Sequence, residues 1–303
     1  MKEKNYKNEN LNNQETKLFK KFPFNKKSTI ISTSAILLLI TTFLIYKSNN
    51  SIEVTHHTVK DQLIPPSFND TVIVQISDLH NKEFGTNQKE LLETISSIKP
   101  DMIAVTGDLI DTNNTDNDIV RSMDFINGAV DIAPTYFVTV NHDMKSLQYP
   151  QLENKLIDAG VVVLRDEVEE IKNKDDSIYL IGLDDPASSN WEQNLSFGEK
   201  LTRLSNKTDG YTILLSHRPE KFDIYVDQVN LALTGHTHGG QIRFPFIGAV
   251  VAPDQGLFPK YSDGLYEEGN TKMIISRGLG TSVIPIRFNN PPEIIVVRLR
   301  AEK

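Results

Sequence analysis

The sequence predicts an α/β domain of layered sheets standing behind one membrane-spanning helix. Three observations predict it. From Thr71 onward, short β-branched runs alternate with stretches at helical period. Five of those runs end abruptly in Asp, Asn or His. Ahead of them, Ser28 to Tyr46 holds 19 residues without a charge, a Gly or a Pro.

The head of the chain is polar and rich in Asn and Lys. Residues 1–27 carry eight lysines and three glutamates, a net of +5, so the remaining residues carry −13 of the total −8. A body this acidic, with no arginine before Arg121, fits a phosphate backbone poorly, and no nucleic-acid partner is expected.

The segment STIISTSAILLLITTFLIY follows. As a helix it rises roughly 28 Å, close to the hydrocarbon thickness of a bilayer. A buried soluble helix and a cleaved signal peptide are the rival readings. Nothing before the segment can build a core around it, and no A-x-A-like site follows Tyr46. Lys20, Lys21, Lys26 and Lys27 crowd its front flank, against Lys47 alone just behind. Positive-inside bias then keeps the N-terminus cytoplasmic and sends the body across the cell membrane. The expected organisation is a head over 1–27, an anchor over 28–46, a linker over 47–70 and one domain over 71–303.

Within the body, TVIVQIS (71–77), MIAVTG (102–107) and TYFVTV (135–140) read as strands. So do SIYLIGL (177–183), YTILLS (211–216), LALTG (231–235), MIIS (273–276) and EIIVVRL (293–299). Helical period covers 88–99 and 117–129, with further helical stretches near 195–205 and 218–226. Apolar residues make up 39% and charged residues 24%, so a packed core is expected and wholesale disorder is not. There is no cysteine, which excludes disulfides, thiolate metal sites and a thiol nucleophile.

The polar residues at strand ends carry the chemistry. They are Asp78-Leu79-His80, Gly107-Asp108, Asn141-His142-Asp143, Ser216-His217 and Gly235-His236-Thr237-His238. Ligands gather at the carboxyl ends of strands in layered α/β folds. Five of the seven histidines lie in these motifs, and only His56 and His57 lie elsewhere. Imidazole, carboxylate and an amide oxygen without thiolate suit Mn, Fe, Zn or Co. The donors are Asp78, His80, Asp108, Asn141, His217, His236 and His238, and one bridging carboxylate would let them serve two metals. No G-x-S-x-G elbow or P-loop occurs, and the Gly-rich run Arg277 to Ser282 reads as a tight turn before the last strand. The aromatic stretch Phe244 to Tyr261 reads as a packing loop, or as a rim that touches an acyl chain or the bilayer surface.

The motif order D-x-H, G-D-x-x-D, N-H-D, H, G-H-x-H resembles the calcineurin-like metallophosphoesterases across roughly residues 71–300. The later run GHTHGGQIRFPFIGAVVAPDQGLFPKYSDGLY resembles the membrane-associated bacterial branch of the YkuE/YaeI type, related to UDP-diacylglucosamine pyrophosphohydrolases. The resemblance implies a four-layer α/β/β/α sandwich of two mixed sheets. It implies two divalent metal ions, a first held by Asp78, His80, Asp108 and His238, and a second by Asn141, His217 and His236, with Asp108 bridging. His142 would act on the phosphate and Asp111 would orient it. The activity implied is hydrolysis of a phosphomonoester, phosphodiester or pyrophosphate by a metal-bridging hydroxide, on a phosphorylated small molecule or a lipid-linked substrate. The alternative is a non-catalytic metal-binding surface protein that recognises a phosphorylated ligand.

One position departs from the family pattern. Val140 stands where the third motif has glycine. If the backbone there needs positive φ, valine is strained, and Val140→Gly is expected to raise activity at limiting metal.

Overall fold

The computed structural model describes residues 26–111, 115–140, 143, 146–186, 195–281 and 286–302. Helix α1 (Lys26–Asn50) covers the apolar segment. Two compact units divide the chain, one ending at Phe43 and the other running from Leu44 to Lys303. Within the second, the chain runs β1 (Glu53–Asp61), β2 (Val72–Ile76), α2 (Lys89–Ile98), β3 (Met102–Val105), α3 (Asp116–Ile132) and β4 (Thr135–Val138). Then come α4 (Tyr149–Asp158), β5 (Val162–Leu164), β6 (Glu167–Asn173), β7 (Asp176–Gly182), α5 (Phe197–Ser205) and β8 (Thr212–Leu215). Last come α6 (Phe222–Tyr225), β9 (Leu231–Thr234), two small hairpins, β14 (Gly264–Glu268), β15 (Thr271–Ile275) and β16 (Glu293–Ala301). The hairpins are β10 (Arg243–Phe244) with β11 (Gly248–Ala249) and β12 (Val251–Ala252) with β13 (Gly256–Leu257).

Two six-stranded mixed sheets result, in the orders β1-β16-β2-β3-β4-β5 and β14-β15-β9-β8-β7-β6. Strands β2 to β5 are mutually parallel, as are β7, β8, β9 and β15. The sheets pack face to face through Ile73, Ala104, Tyr136 and Val138 on one side and Leu180, Ile213, Leu231 and Ile274 on the other. The alternate residues of β2, Val74 and Ile76, face outward onto Leu91 and Ile95 of α2 and Phe125 of α3. Across the molecule, Leu201 and Leu204 of α5 and Phe222 of α6 cover Ile181, Leu214 and Ala232. Strands buried on both faces explain why the sequence shows unbroken apolar runs without alternation. This is the four-layer α/β/β/α sandwich that the motif order implies.

Local chemistry agrees with these boundaries. Ser196 caps α5 by accepting from Glu199 N, while the Glu199 carboxylate takes Ser196 N at 2.7 Å.

The linker expected over 47–70 is corrected by the structure. Residues Glu53–Asp61 form β1, paired in parallel with β16 from Glu53↔Glu293 to Asp61↔Ala301. The body therefore begins well before residue 71. On this edge strand only Val59 is buried, so its polar sequence, EVTHHTVKD, carries almost no apolar signal. The structure also supplies α4, β5, β6 and β14, which the apolar runs did not announce.

Candidate metal centre

Parallel strands bring their carboxyl ends to one edge of each sheet, and the two sheets meet there. The loop after β2 delivers Asp78 and His80, and the loop after β3 delivers Asp108. From the second sheet, β8 delivers His217 and β9 delivers His236 and His238. The two loops of the first sheet run side by side, with Asp78 N donating to Gly107 O (3.0 Å) and His80 N to Asp108 O (3.0 Å). Beneath them, the buried Gln75 side chain crosses between the sheets, donating to Thr106 Oγ1 (3.1 Å) and Thr234 O (2.8 Å).

The backbone at the site is unusual. Asp78, His80, Asp108, His236 and His238 all have positive φ, between 46° and 71°. Each such conformation in a non-Gly residue costs on the order of 1–3 kcal/mol and persists only where the surroundings enforce it. Gly235 and Gly278 leave the space for this. A Cβ on Gly235 would lie 2.5 Å from Asp78 Oδ2, and one on Gly278 would lie 2.6 Å from Asp78 Cβ. The Gly-rich run is thus more than a turn before β16, because it walls in the Asp78 loop.

Two donor groups form. Asp78, His80 and His238 make one, and Asp108, His217 and His236 make the other, with the ligand atoms of each within 4.8 Å of one another. Asp108 Oδ2 stands 3.3 Å from His80 Nε2 and 3.3 Å from His217 Nε2, midway between the groups. Asp78 Oδ1 lies 3.4 Å from His238 Nε2.

The tautomers follow from the outer partners. His80 Nδ1 meets Asp111 Oδ1 at 2.6 Å, and His217 Nδ1 meets the Thr106 carbonyl at 2.9 Å. Both partners only accept, so each Nδ1 carries hydrogen and each Nε2 is turned toward Asp108. His236 is the reverse case. Its Nε2 faces Asp254 Oδ2 (2.9 Å) and Arg218 Nη1 (3.1 Å), which leaves Nδ1 as the atom available to coordinate. The donor set and its outer partners fit divalent cations.

Electrostatics point the same way. Burial would depress both His80 and His217, but the surrounding carboxylates, Asp108 foremost and Asp78 with it, together raise them to about 10 and about 9. Burial opposes ionisation of Asp108, yet the two imidazoles hold it well below the usual carboxylate range. Burial, with the charges of His217 and Arg218, pushes His236 down to about 3. Burial also holds His238 well below its ordinary value, helped by His80. A divalent cation must therefore displace protons from His80 and His217. Apparent metal affinity is expected to rise with pH from 6.5 toward 9 and to flatten above about 10. Calorimetry in two buffers of different ionisation enthalpy checks this, and a pH-independent affinity would contradict it.

Of the expected site residues, Asn141 and His142 lie outside the described residues. Asp111 Oδ1 contacts His80 Nδ1 at 2.6 Å, and its expected partner His142 is outside the described residues. Several contributors were not expected. Asp143, fully buried, accepts from Asp108 N (3.0 Å) and Ile110 N (3.2 Å) and so clamps the bridging loop. Burial and the Asp108 charge push its carboxyl up to about 8. Arg218 is gripped by Asp185 and Asp254 and lies 3.1 Å from His236 Nε2. The adjacency of Asp143 to Asn141-His142 and of Arg218 to His217 was the available signal.

The expectation about Val140 is corrected. Val140 is not among the described residues with positive φ, and it is fully buried. The positive φ sits instead on Gly107, at 91°, where a Cβ would fall 2.2 Å from Val140 Cγ1. The glycine of the second motif thus makes room for the valine of the third. Val140→Gly is expected to lose roughly 2 kcal/mol of stability through a cavity and unfolded-state entropy. It is expected to bring no gain at limiting Mn²⁺. A thermal melt and a metal titration of both forms test this.

Comparison with known proteins gives three close parallels. A family model described as calcineurin-like phosphoesterase matches residues 71–240. The chain is 34% identical over 263 residues to YkuE of Bacillus subtilis, an uncharacterized metallophosphoesterase, covering 84% of this chain and 88% of that one. It is 28% identical over 204 residues to phosphodiesterase YaeI of Escherichia coli, covering 66% and 71%. It is 29% identical over 261 residues to a transmembrane protein with metallophosphoesterase domain from Bos taurus, covering 78% and 55%.

Proposed function

The chain belongs to the calcineurin-like phosphoesterase family, and we propose on that footing that it hydrolyses a phosphoester or pyrophosphate bond with two divalent cations. The observation that carries this reading is Asp108 Oδ2, equidistant at 3.3 Å from one imidazole of each donor group. Asp78, His80 and His238 would hold one cation, His217 and His236 the other, and Asp108 both. Asn141 would complete the second set. Bound there, the cations would supply Lewis acidity toward phosphate oxygens and make a nucleophile available from water near neutral pH.

The side chains have separate tasks. Asp111, Thr106 O and Asp254 fix the ring orientations of His80, His217 and His236. Asp143 holds the Asp108 loop. His142 would hold a proton for the leaving oxygen or balance charge on the phosphoryl group. Two cations also explain how an acidic body takes an anionic substrate without a basic patch. Mn, Fe, Zn and Co all suit the donor set. The departure that favoured a non-catalytic surface protein, valine for glycine, is accommodated by Gly107 and no longer favours it. Turnover of an aryl phosphodiester that is abolished by chelator and restored by Mn²⁺ tests the reading. Metal binding without turnover of any phosphoester would sink it.

The helix supports an anchor. Thr29–Asn50 is long and apolar enough to cross a membrane. The lysine flank orients it with the head inside and the body outside. Protease added to intact wall-stripped cells should remove the body and spare an N-terminal tag. A body protected until the membrane is opened would reverse the orientation.

A further inference from the structure

Immediately after His238 the chain builds the two hairpins β10–β11 and β12–β13, and their apolar residues point into solvent. Phe246 is 109% exposed, Leu257 70%, Phe258 67% and Ile247 61%. The hairpins are stitched side by side, with Phe258 N donating to Val250 O (2.8 Å) and Val250 N to Ile242 O (3.2 Å). The half-exposed Phe244 ring lies 5.9 Å from that of Phe288 and extends the patch. Large apolar side chains exposed on adjoining hairpins mark a docking site.

Two contacts say what covers it. The first is with the end of α1. Asn49 Nδ2 donates to Arg287 O (2.9 Å) and Asn49 Oδ1 accepts from Arg287 N (3.0 Å), one residue before Phe288. The C-terminal end of α1 therefore meets the body next to Phe288. The second contact is with the metal centre. Asp254, in the turn of β12–β13, takes His236 Nε2, and Arg243 at the start of β10 donates to Gly239 O (3.0 Å). The last residues of α1, the apolar hairpins and the metal centre thus adjoin one another within the body.

We infer that the hairpins are a membrane-docking surface, with Phe244, Phe246, Ile247, Leu257 and Phe258 seated in the interfacial layer of the bilayer that holds α1. The metal centre then lies at headgroup level, and the phosphate it takes is carried by a membrane amphiphile. The docking rests on the reading of α1 as a span, and the substrate class rests on the phosphoesterase reading. The body is acidic, so the seating is apolar and insensitive to salt.

The natural chain has no cysteine, so single labels carry no background. Phe246→Cys, Phe258→Cys and, in the exposed β6–β7 turn, Asp175→Cys are each made in the full chain. Each is labelled with a polarity-sensitive nitrobenzoxadiazole probe. The protein is reconstituted into phosphatidylcholine–phosphatidylglycerol vesicles containing a shallow doxyl-lipid quencher. Emission from 246 and 258 is expected to be blue-shifted and quenched severalfold, unchanged by high salt, while 175 stays water-like. Water-like emission at all three positions would overturn the docking. So would shielding that the doxyl lipid does not quench and that grows with the protein-to-lipid ratio, because a second copy would then be the occupant.

A second arm reads the substrate. The double variant Phe246→Asp with Phe258→Asp should hydrolyse a vesicle-embedded phosphodiester roughly tenfold more slowly, since interfacial binding scales with buried apolar area. Its turnover of a soluble aryl phosphodiester should stay unchanged. Equal loss on both substrates would overturn the substrate class. Quenching at 246 and 258 in a protein inactive on every phosphoester would overturn the phosphoesterase reading and support the docking.

Discussion

Asp108→Ala is expected to abolish turnover, by about four orders of magnitude or more, and to strip bound metal with it. The carboxylate stands 3.3 Å from one imidazole of each donor set, His80 Nε2 and His217 Nε2. On the two-cation reading Asp108 would be held by both, and its removal would leave them without a shared anion between them. Lewis-acid stabilisation worth several kcal/mol is lost, and each 1.36 kcal/mol is tenfold in rate. Bound metal and turnover are measured together on the purified full chain. Two equivalents of retained metal in Asp108→Ala would show that the cations do not share it.

His142→Ala is expected to do the opposite with metal. The family resemblance gives His142 no metal to hold, so both equivalents should remain. Turnover should fall by roughly two to four orders of magnitude, the usual worth of a positioned acid. The loss should be smaller on a substrate whose leaving group is a good one, because such a leaving oxygen needs less protonation. Metal loss in His142→Ala equal to that in Asp108→Ala would mean that the imidazole is a ligand. Equal rate loss for good and poor leaving groups would assign it to charge stabilisation instead.

The contrast between these variants uses residues legible in the sequence for a specific reason. An apolar run that stops at Asp or His has no packing explanation, so Asp78, Asp108, His217 and His236 stand out against Val, Ile and Leu. The strands themselves were legible because they are buried on both faces. Strand β1 was not, because an edge strand with one buried residue looks like a polar linker until β16 lies beside it.

Residues that act across long sequence separations were illegible for a related reason. Gln75 reaches Thr234, Asp143 reaches Asp108, Asp254 reaches His236 and Asn49 reaches Arg287. Each is an ordinary polar residue in its own neighbourhood, and its partner is set by how the two sheets pack.

By itself, then, the chain's order of residues determined the layered α/β class, the apolar helix and the types of donor available for metal. Those properties depend on local periodicity and on which side chains the strands end in. The tertiary structure alone decided that Asp108 lies between two imidazoles, that Gly107 makes room for Val140, and that the aromatic hairpins face solvent. These depend on distances between segments far apart in the chain, which close packing of the sheets sets and no local pattern encodes.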